Sequence, residues 1–315
     1  MPHRRLGRTD LQIPPLVFGG NVFGWTADKP TSFALLDRLA EAGLNTIDTA
    51  DIYSNWAPGN KGGESEAIIG EWLRKSAKRG STLIITKCGA PSSPNKGLTA
   101  AAIADSCEES LKRLGVESID LYLSHFPDAN TPYEETLEAF GRLQKGGKIR
   151  WFGASNLDAG QLRASLDAAK SAGLPRYEAL QPEYNLYDRE KFDGPLRDLC
   201  VQEEIGVITY FSLAKGFLSG KYRSEADLGQ SPRGGGVKAY LNPRGLRILA
   251  ALDEVAGRLG AKPAEVALAW IAQAKGVTAP IASATKLDQL ESLIKAASMT
   301  LIRDDVAALE AASAA

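Results

Sequence analysis

Short apolar runs alternate along this chain with longer stretches whose apolar residues recur every three to four positions. The short runs fall at residues 16–18, 46–48, 83–86, 121–124, 150–153, 179–181, 207–210 and 280–282, and they predict strands. The longer stretches, at 31–42, 64–79, 99–114, 132–145, 157–172, 189–204 and 263–273, predict amphipathic helices. Thr99, and Thr131 before Pro132, supply helix-start signals. Eight strand–helix units in succession predict an α/β fold whose parallel sheet closes into a (β/α)8 TIM barrel; over 315 residues, closure is favoured over a doubly wound open sheet. Residues 5–13, with Gly7-Arg8-Thr9-Asp10 between short β-like segments, predict an N-terminal hairpin across the barrel's bottom. Stretches 245–259 and 304–312 predict extra helices, and the Gly-, Pro- and charge-rich residues 221–244 predict a long mobile loop. With no repeat, low-complexity tract or linker, one domain over 1–315 is expected.

Polar residues stand where buried strands run out. Asp48 closes Thr46-Ile47-Asp48, with Tyr53 five residues on; Lys87 ends Leu83-Ile84-Ile85-Thr86-Lys87; His125 ends Leu121-Tyr122-Leu123-Ser124-His125. In such barrels the reacting groups sit at the C-terminal strand ends. Each residue has a structural alternative: a turn cap for Asp48, a half-buried aromatic for Tyr53, a surface cation for Lys87, a satisfied core imidazole for His125. Three neighbouring strand ends carrying them together favour a proton-transfer site. A tyrosine with a pKa of about 10 is a sluggish acid near neutrality. A nearby ammonium is expected to lower that pKa, and Asp48 to keep Lys87 charged. His125 can orient a carbonyl oxygen or share the proton.

Composition narrows the chemistry. The net charge of −1 offers no basic surplus for nucleic acid or an anionic membrane. No apolar run is long enough to span a bilayer, and the N-terminus leads into no signal core. Cys88, Cys107 and Cys200 are scattered, without a CxxC pair, so no disulfide framework or zinc site is indicated and a reducing, cytoplasmic compartment is expected. With His125 the one histidine outside the N-terminal start, no histidine-rich metal site is expected. Gly19-Gly20 and Gly24 lack the GxGxxG spacing, which argues against Rossmann-type dinucleotide binding.

These residues in their settings resemble the aldo-keto reductase superfamily. The matching stretches are Thr46-Ile-Asp48-Thr-Ala-Asp-Ile-Tyr53, Ile84-Ile-Thr-Lys87, Asp120-Leu-Tyr-Leu-Ser-His125-Phe-Pro-Asp128, Ile149-Arg-Trp-Phe-Gly-Ala-Ser155-Asn156, Gln181-Pro-Glu-Tyr-Asn-Leu and Phe211-Ser-Leu-Ala-Lys-Gly216, and the likeness runs from Arg5 to about Lys295. The resemblance implies a barrel that binds an extended nicotinamide cofactor and reduces carbonyls on small molecules. It implies Tyr53 as proton donor, Asp48 and Lys87 as its tuning pair and His125 as the carbonyl-orienting residue. It also implies Ser155, Asn156 and Gln181 at the carboxamide and Phe211 stacked on the nicotinamide. Ser212, Leu213, Lys215 and Gly216 then form the pyrophosphate turn, and Lys221 and Arg233 clamp the cofactor from the long loop. The last strand end departs from the pattern: Ser283 stands where glycine is usual, and Leu293 where an adenine-contacting asparagine is common. Ser283, Thr285, Lys286 and Gln289 still align with the adenosine-phosphate segment, and Lys286 with Arg233 points to NADP (NADPH) rather than NAD. A helix-start turn at 285–289, a solvated loop arginine at 233 and a helix-capping Asn156 are the structural alternatives.

Phe23, Trp25 and Trp56 suggest an apolar substrate mouth, with structural aromatics as the alternative. Two other functions stand beside carbonyl reduction. One is a cofactor-binding regulatory subunit resembling potassium channel β subunits, disfavoured by the lack of an extended partner-binding tail. The other is an aldolase-type barrel with Lys87 as Schiff-base nucleophile, which has no need of a carboxamide cradle.

Overall fold

The computed structural model describes residues 2–231 and 234–314. Two short strands, β1 (Arg4–Arg5) and β2 (Gln12–Ile13), form an antiparallel hairpin. The next eight are β3 (Val17–Gly19), β4 (Thr46–Asp48), β5 (Leu83–Cys88), β6 (Ile119–Ser124), β7 (Ile149–Ser155), β8 (Ala179–Gln181), β9 (Gly206–Thr209) and β10 (Ala279–Ala282). Each pairs in parallel with its neighbour in sequence, and β10 returns to β3 to close the barrel. Around it run α1 (Lys29–Ala42), α2 (Glu64–Ser76), α3 (Ala100–Leu114), α4 (Tyr133–Lys145), α5 (Ala159–Ala172), α6 (Pro195–Gln202), α7 (Pro243–Leu259), α8 (Pro263–Gln273), α9 (Leu287–Ser298) and α10 (Arg303–Ser313). The closed eight-stranded parallel barrel and the N-terminal hairpin are those the hydrophobic pattern predicts. Among the described residues, no helix is long and apolar enough to cross a membrane.

Local chemistry sets the helix limits. Asp28 caps α1 by accepting from the Thr31 N–H, Pro30 opens the first turn, and Gly43 ends the helix at φ 75°. Asp158 and Gln161 form a capping box on α5. Strand parity then separates two apolar layers. Val17, Ile85, Leu121, Leu123, Ala179, Ile208 and Ile281 fill the barrel interior, and Leu6, Leu11 and Ile13 of the hairpin join them from below. Phe18, Ile47, Ile84, Tyr122, Phe152, Leu180 and Val207 pack outward against the helices. This alternation decides which residue at each strand end enters the barrel mouth.

Four expectations need correction. Helix α2 stops at Ser76 rather than 79, where Ala77 turns left-handed at φ 54°. Helix α6 spans only Pro195–Gln202 rather than 189–204, because Gly194 (φ 87°, ψ −128°) precedes a proline at the first helical position. Helix α9, which buries Leu290, Leu293 and Ala296, is absent from the predicted helices. Residues 221–231 and 234–244 are not structureless: short 3-10 turns form at Glu225–Gln230 and Gly234–Tyr240, and Tyr222, Val237 and Tyr240 are buried among mostly exposed neighbours.

Gly206 is where the hairpin meets the barrel. A Cβ there would lie 2.5 Å from Leu6 Cδ1 and 2.8 Å from the Gly7 nitrogen. Gly206→Ala is expected to lower the unfolding free energy by about 1–3 kcal/mol in urea titrations. A value unchanged within about 0.5 kcal/mol would mean that the hairpin does not seal the barrel floor.

Candidate active site

Parity carries four side chains into one mouth. Asp48 follows Thr46 on the inner face of β4, Lys87 follows Ile85 on β5, His125 follows Leu123 past the end of β6, and Gln181 follows Ala179 on β8. The Lys87 ammonium is fully buried. Its Nζ donates to Asp48 Oδ2 at 2.8 Å, to the Thr49 carbonyl at 2.6 Å and to Tyr53 Oη at 2.9 Å. All three of its donors are thereby used. Tyr53 Oη also lies 3.4 Å from Asp48 Oδ2, and the Tyr53 and His125 ring centroids are 6.1 Å apart. The four residues expected to converge do so.

The electrostatics differ from expectation in one respect. Burial, and then the Asp48 carboxylate, push the Tyr53 phenol well above the ordinary tyrosine range, instead of Lys87 drawing it down. Burial also lowers Lys87, opposed by Asp48. His125 is driven well below the usual imidazole range by burial and by the Lys87 charge, and its Nδ1 is buried without a hydrogen-bond partner. At neutral pH the mouth therefore holds a protonated phenol and an uncharged imidazole beside the Lys87–Asp48 pair. Such a phenol can release its proton to an acceptor in the mouth, because the resulting phenolate sits 2.9 Å from the ammonium.

Ser155, Asn156 and Gln181 form one hydrogen-bonded set. Gln181 Nε2 donates to Asp48 Oδ1 at 2.8 Å, and Ser155 Oγ donates to the Gln181 carbonyl at 2.7 Å. Asn156, left-handed at φ 63°, donates through Nδ2 to the His125 carbonyl at 2.8 Å and to Ser155 Oγ at 3.2 Å. Tyr210 Oη donates to Asn156 Oδ1 at 2.6 Å. Tyr210 was not among the predicted site residues. Its signal was strand parity: after Ile208 inside the barrel, Tyr210 packs against the inner apolar cluster just past the end of β9. Phe211 is 43% exposed, with the Lys215 ammonium 5.5 Å from its ring centroid.

The remaining predicted residues divide by place. Ser212 is buried and donates to the Thr209 carbonyl at 3.2 Å, while Leu213 packs against the core. Phe211, Ala214, Lys215 and Gly216 all take positive φ, which curls this segment at the end of β9. Lys221 lies on the exposed side of the following loop, its Nζ 4.9 Å from the Tyr222 ring. Arg233 lies outside the described residues. Ser283 donates to Asn21 Oδ1 at 2.7 Å. Gln289 Oε1 accepts from the Thr285 N–H at 2.8 Å, and Lys286 stands at the N-cap of α9 without a side-chain cap bond. Trp25 and Trp56 meet edge to face at 5.8 Å, and Trp56 meets Tyr53 at the same separation. Phe23 does not line the mouth: it is fully buried and stacks on Phe18 within the core.

The sequence profile of the aldo/keto reductase family matches residues 15–314. A probable voltage-gated potassium channel subunit beta of Arabidopsis thaliana is 32% identical over 307 residues, covering 94% of this chain and 91% of its own length. An uncharacterized oxidoreductase, YrpG, of Bacillus subtilis is 32% identical over 316 residues, covering 96% of this chain and 93% of its own. The protein tas of Escherichia coli is 29% identical, covering 99% and 97% respectively.

Removing one partner of a buried ion pair strands the other charge. Asp48→Ala is expected to cost about 3–5 kcal/mol of stability by chemical denaturation. Adding Lys87→Met should restore part of that loss. A single variant as stable as wild type would show that the pair carries no such coupling.

Proposed function

This chain belongs to the aldo/keto reductase family, and from that premise we propose that it interconverts an aldehyde or ketone and its alcohol using NADP(H), with Tyr53 as the proton donor and acceptor. The observation that carries the reading is the single Lys87 ammonium bonded at once to Asp48 and to the Tyr53 phenol. The residues fit a nicotinamide dinucleotide. Ser155, Asn156 and Gln181 offer hydroxyl and amide groups of the kind a carboxamide pairs with, and the exposed Phe211 ring offers a stacking face. The left-handed turn through Ala214–Gly216 and the start of α9, with Lys286, offer backbone N–H groups and positive charge for phosphates. Lys286 is the described residue that favours NADP over NAD.

Bound NADPH supplies the hydride. The protein's part is the proton: Tyr53 gives its hydroxyl proton to the carbonyl oxygen as charge develops there, and the phenolate left behind is held by Lys87. His125, uncharged, donates a hydrogen bond that fixes the carbonyl oxygen near Tyr53. Asp48 keeps Lys87 an ammonium, and Gln181 holds Asp48. The reverse oxidation uses the same groups. With all three Lys87 donors engaged, a Schiff-base role for its nitrogen is disfavoured. Trp25 and Trp56 beside Tyr53 suit a substrate with an apolar body.

Tyr53→Phe is expected to cut kcat for aldehyde reduction at least about 100-fold while NADPH affinity, read by fluorescence titration, changes little. Equal turnover in that variant would remove Tyr53 from the proton-donor role. Tight cofactor retention by the wild type with no turnover on a broad carbonyl panel would instead favour a regulatory subunit like the channel relatives. Trp56→Ala should raise KM for aromatic aldehydes roughly tenfold with kcat nearly unchanged, as steady-state kinetics would reveal.

A further inference from the structure

Behind the Lys87–Asp48 pair, on the outer side of the barrel wall, stands a second buried carboxyl that the reaction above does not use. Asp51 lies in the turn between Asp48 and Tyr53, and its backbone N–H donates to the Lys87 carbonyl at 3.2 Å, prolonging the β4–β5 pairing. Parity turns its side chain away from the mouth and under the helix layer. There Oδ2 accepts from Ser93 Oγ at 2.9 Å, while Oδ1 is buried with no partner. Ser93 belongs to the 89–99 segment after β5, and its neighbour Ser92 accepts from Asn55 Nδ2 at 3.3 Å. The far side of the same segment is held by Asp128, whose Oδ2 accepts from the Leu98 N–H at 2.9 Å. Residues 89–99 thus form the wall between the loop bearing Tyr53 and Trp56 and the loop after His125.

A half-satisfied buried carboxylate is expensive. Arg113 of α3 relieves it only in part: its Nε is spent on Glu66 of α2 at 2.6 Å, and the Glu66 charge opposes that of Asp51. The other titratable groups facing Asp51 are Lys87 and Cys88 of β5, Tyr122 of β6, and Tyr53 on its own loop. An asparagine would fill this place at lower cost, so the geometry asks what the charge does.

We infer that Asp51 is a positioning residue: through Ser93 it fastens the 89–99 wall to the turn that carries Tyr53, and so sets the gap in which the carbonyl is held. This rests on the reading of Tyr53 as proton donor. The grip is a charge-assisted hydrogen bond and weakens when the carboxyl is neutral. Burial raises the Asp51 pKa to about 6, so the wall tightens above that pH and loosens below it. For stability the sign is opposite. Because the folded-state pKa lies above the unfolded value of 3.8, the stabilising contribution is complete below about 4 and is lost as pH rises through about 6.

The test compares wild type with Asp51→Asn and Ser93→Ala at pH 8 and pH 5. Hydrogen–deuterium exchange of residues 89–99, corrected for intrinsic rates, should be slow in wild type at pH 8 and faster at pH 5. It should be fast and independent of pH in Asp51→Asn, and faster than wild type at pH 8 in Ser93→Ala. In parallel, KM for an aldehyde at pH 8 should rise roughly five- to tenfold in both variants, with kcat within about threefold of wild type. Asp51→Asn should also melt at a higher temperature than wild type at pH 8 but not at pH 4. Wild-type exchange in 89–99 in both variants, or a wild-type pH profile of KM in Asp51→Asn, overturns the inference. If wild type turns over no carbonyl at all, the proposed function fails, and the exchange comparison alone still decides the role of Asp51.

Discussion

An ammonium with no exposure to solvent, placed at the inner end of a barrel strand, constrains everything around it. Removing such a charge from water costs several kcal/mol even after relaxation, and only good geometry offsets it. Lys87 obtains that geometry from Asp48, the Thr49 carbonyl and Tyr53. Asp48 in turn needs Gln181, and from there the bonds run through Ser155 and Asn156 to Tyr210 and the His125 carbonyl. One buried cation therefore ties together the ends of β4, β5, β7, β8 and β9 and the residue that follows β6.

The barrel supplies the dry surroundings that give this network its character. Val17, Ile85, Leu121, Ile208 and Ile281 fill the interior below it, and the hairpin's Leu6, Leu11 and Ile13 seal the floor. The polar groups thus meet solvent only through the mouth. In that setting burial outweighs the neighbouring ammonium, so Tyr53 stays protonated and His125 uncharged. The general-acid role proposed for Tyr53 needs a proton before reaction and a stabilised anion after it; burial would provide the first and Lys87 the second.

Strain gathers at the same rim. Ser54, Asn156, Phe211, Ala214 and Lys215 all adopt positive φ without being glycine. Each such conformation costs on the order of 1 kcal/mol and persists where surrounding bonds over-determine it. Asn156 is held on three sides, by His125, Ser155 and Tyr210, and Ser54 is held by its bond to the Phe23 carbonyl. The half-satisfied Asp51 belongs to the same pattern. Regular structure carries the stability of this fold, and the strand-end segments carry what the proposed chemistry requires.

Residues local in sequence announced the strands, the hairpin and the groups at the strand ends, because a buried run that closes on Asp48, Lys87 or His125 is unusual whatever surrounds it. The same local pattern misjudged residues whose role depends on facing. Phe23 and Trp25 are two positions apart in one loop, yet one stacks in the core and the other meets Trp56. Tyr210 and Phe211 are adjacent aromatics, yet Tyr210 packs against the inner cluster and bonds Asn156 while Phe211, at φ 50°, is 43% exposed. Helix α6 is cut short by Gly194, and Arg223, in the stretch read as a loop, pairs with Asp253, remote in sequence. The direction of the Tyr53 shift was likewise hidden, since residue types name the neighbouring charges but not the water excluded around them. The amino-acid order by itself determined the alternation of elements and the chemical types at their ends, because both are written in short-range periodicity. Which face each side chain presents, and how dry its surroundings are, was decided only when the barrel closed, because closure sets facing and desolvation together.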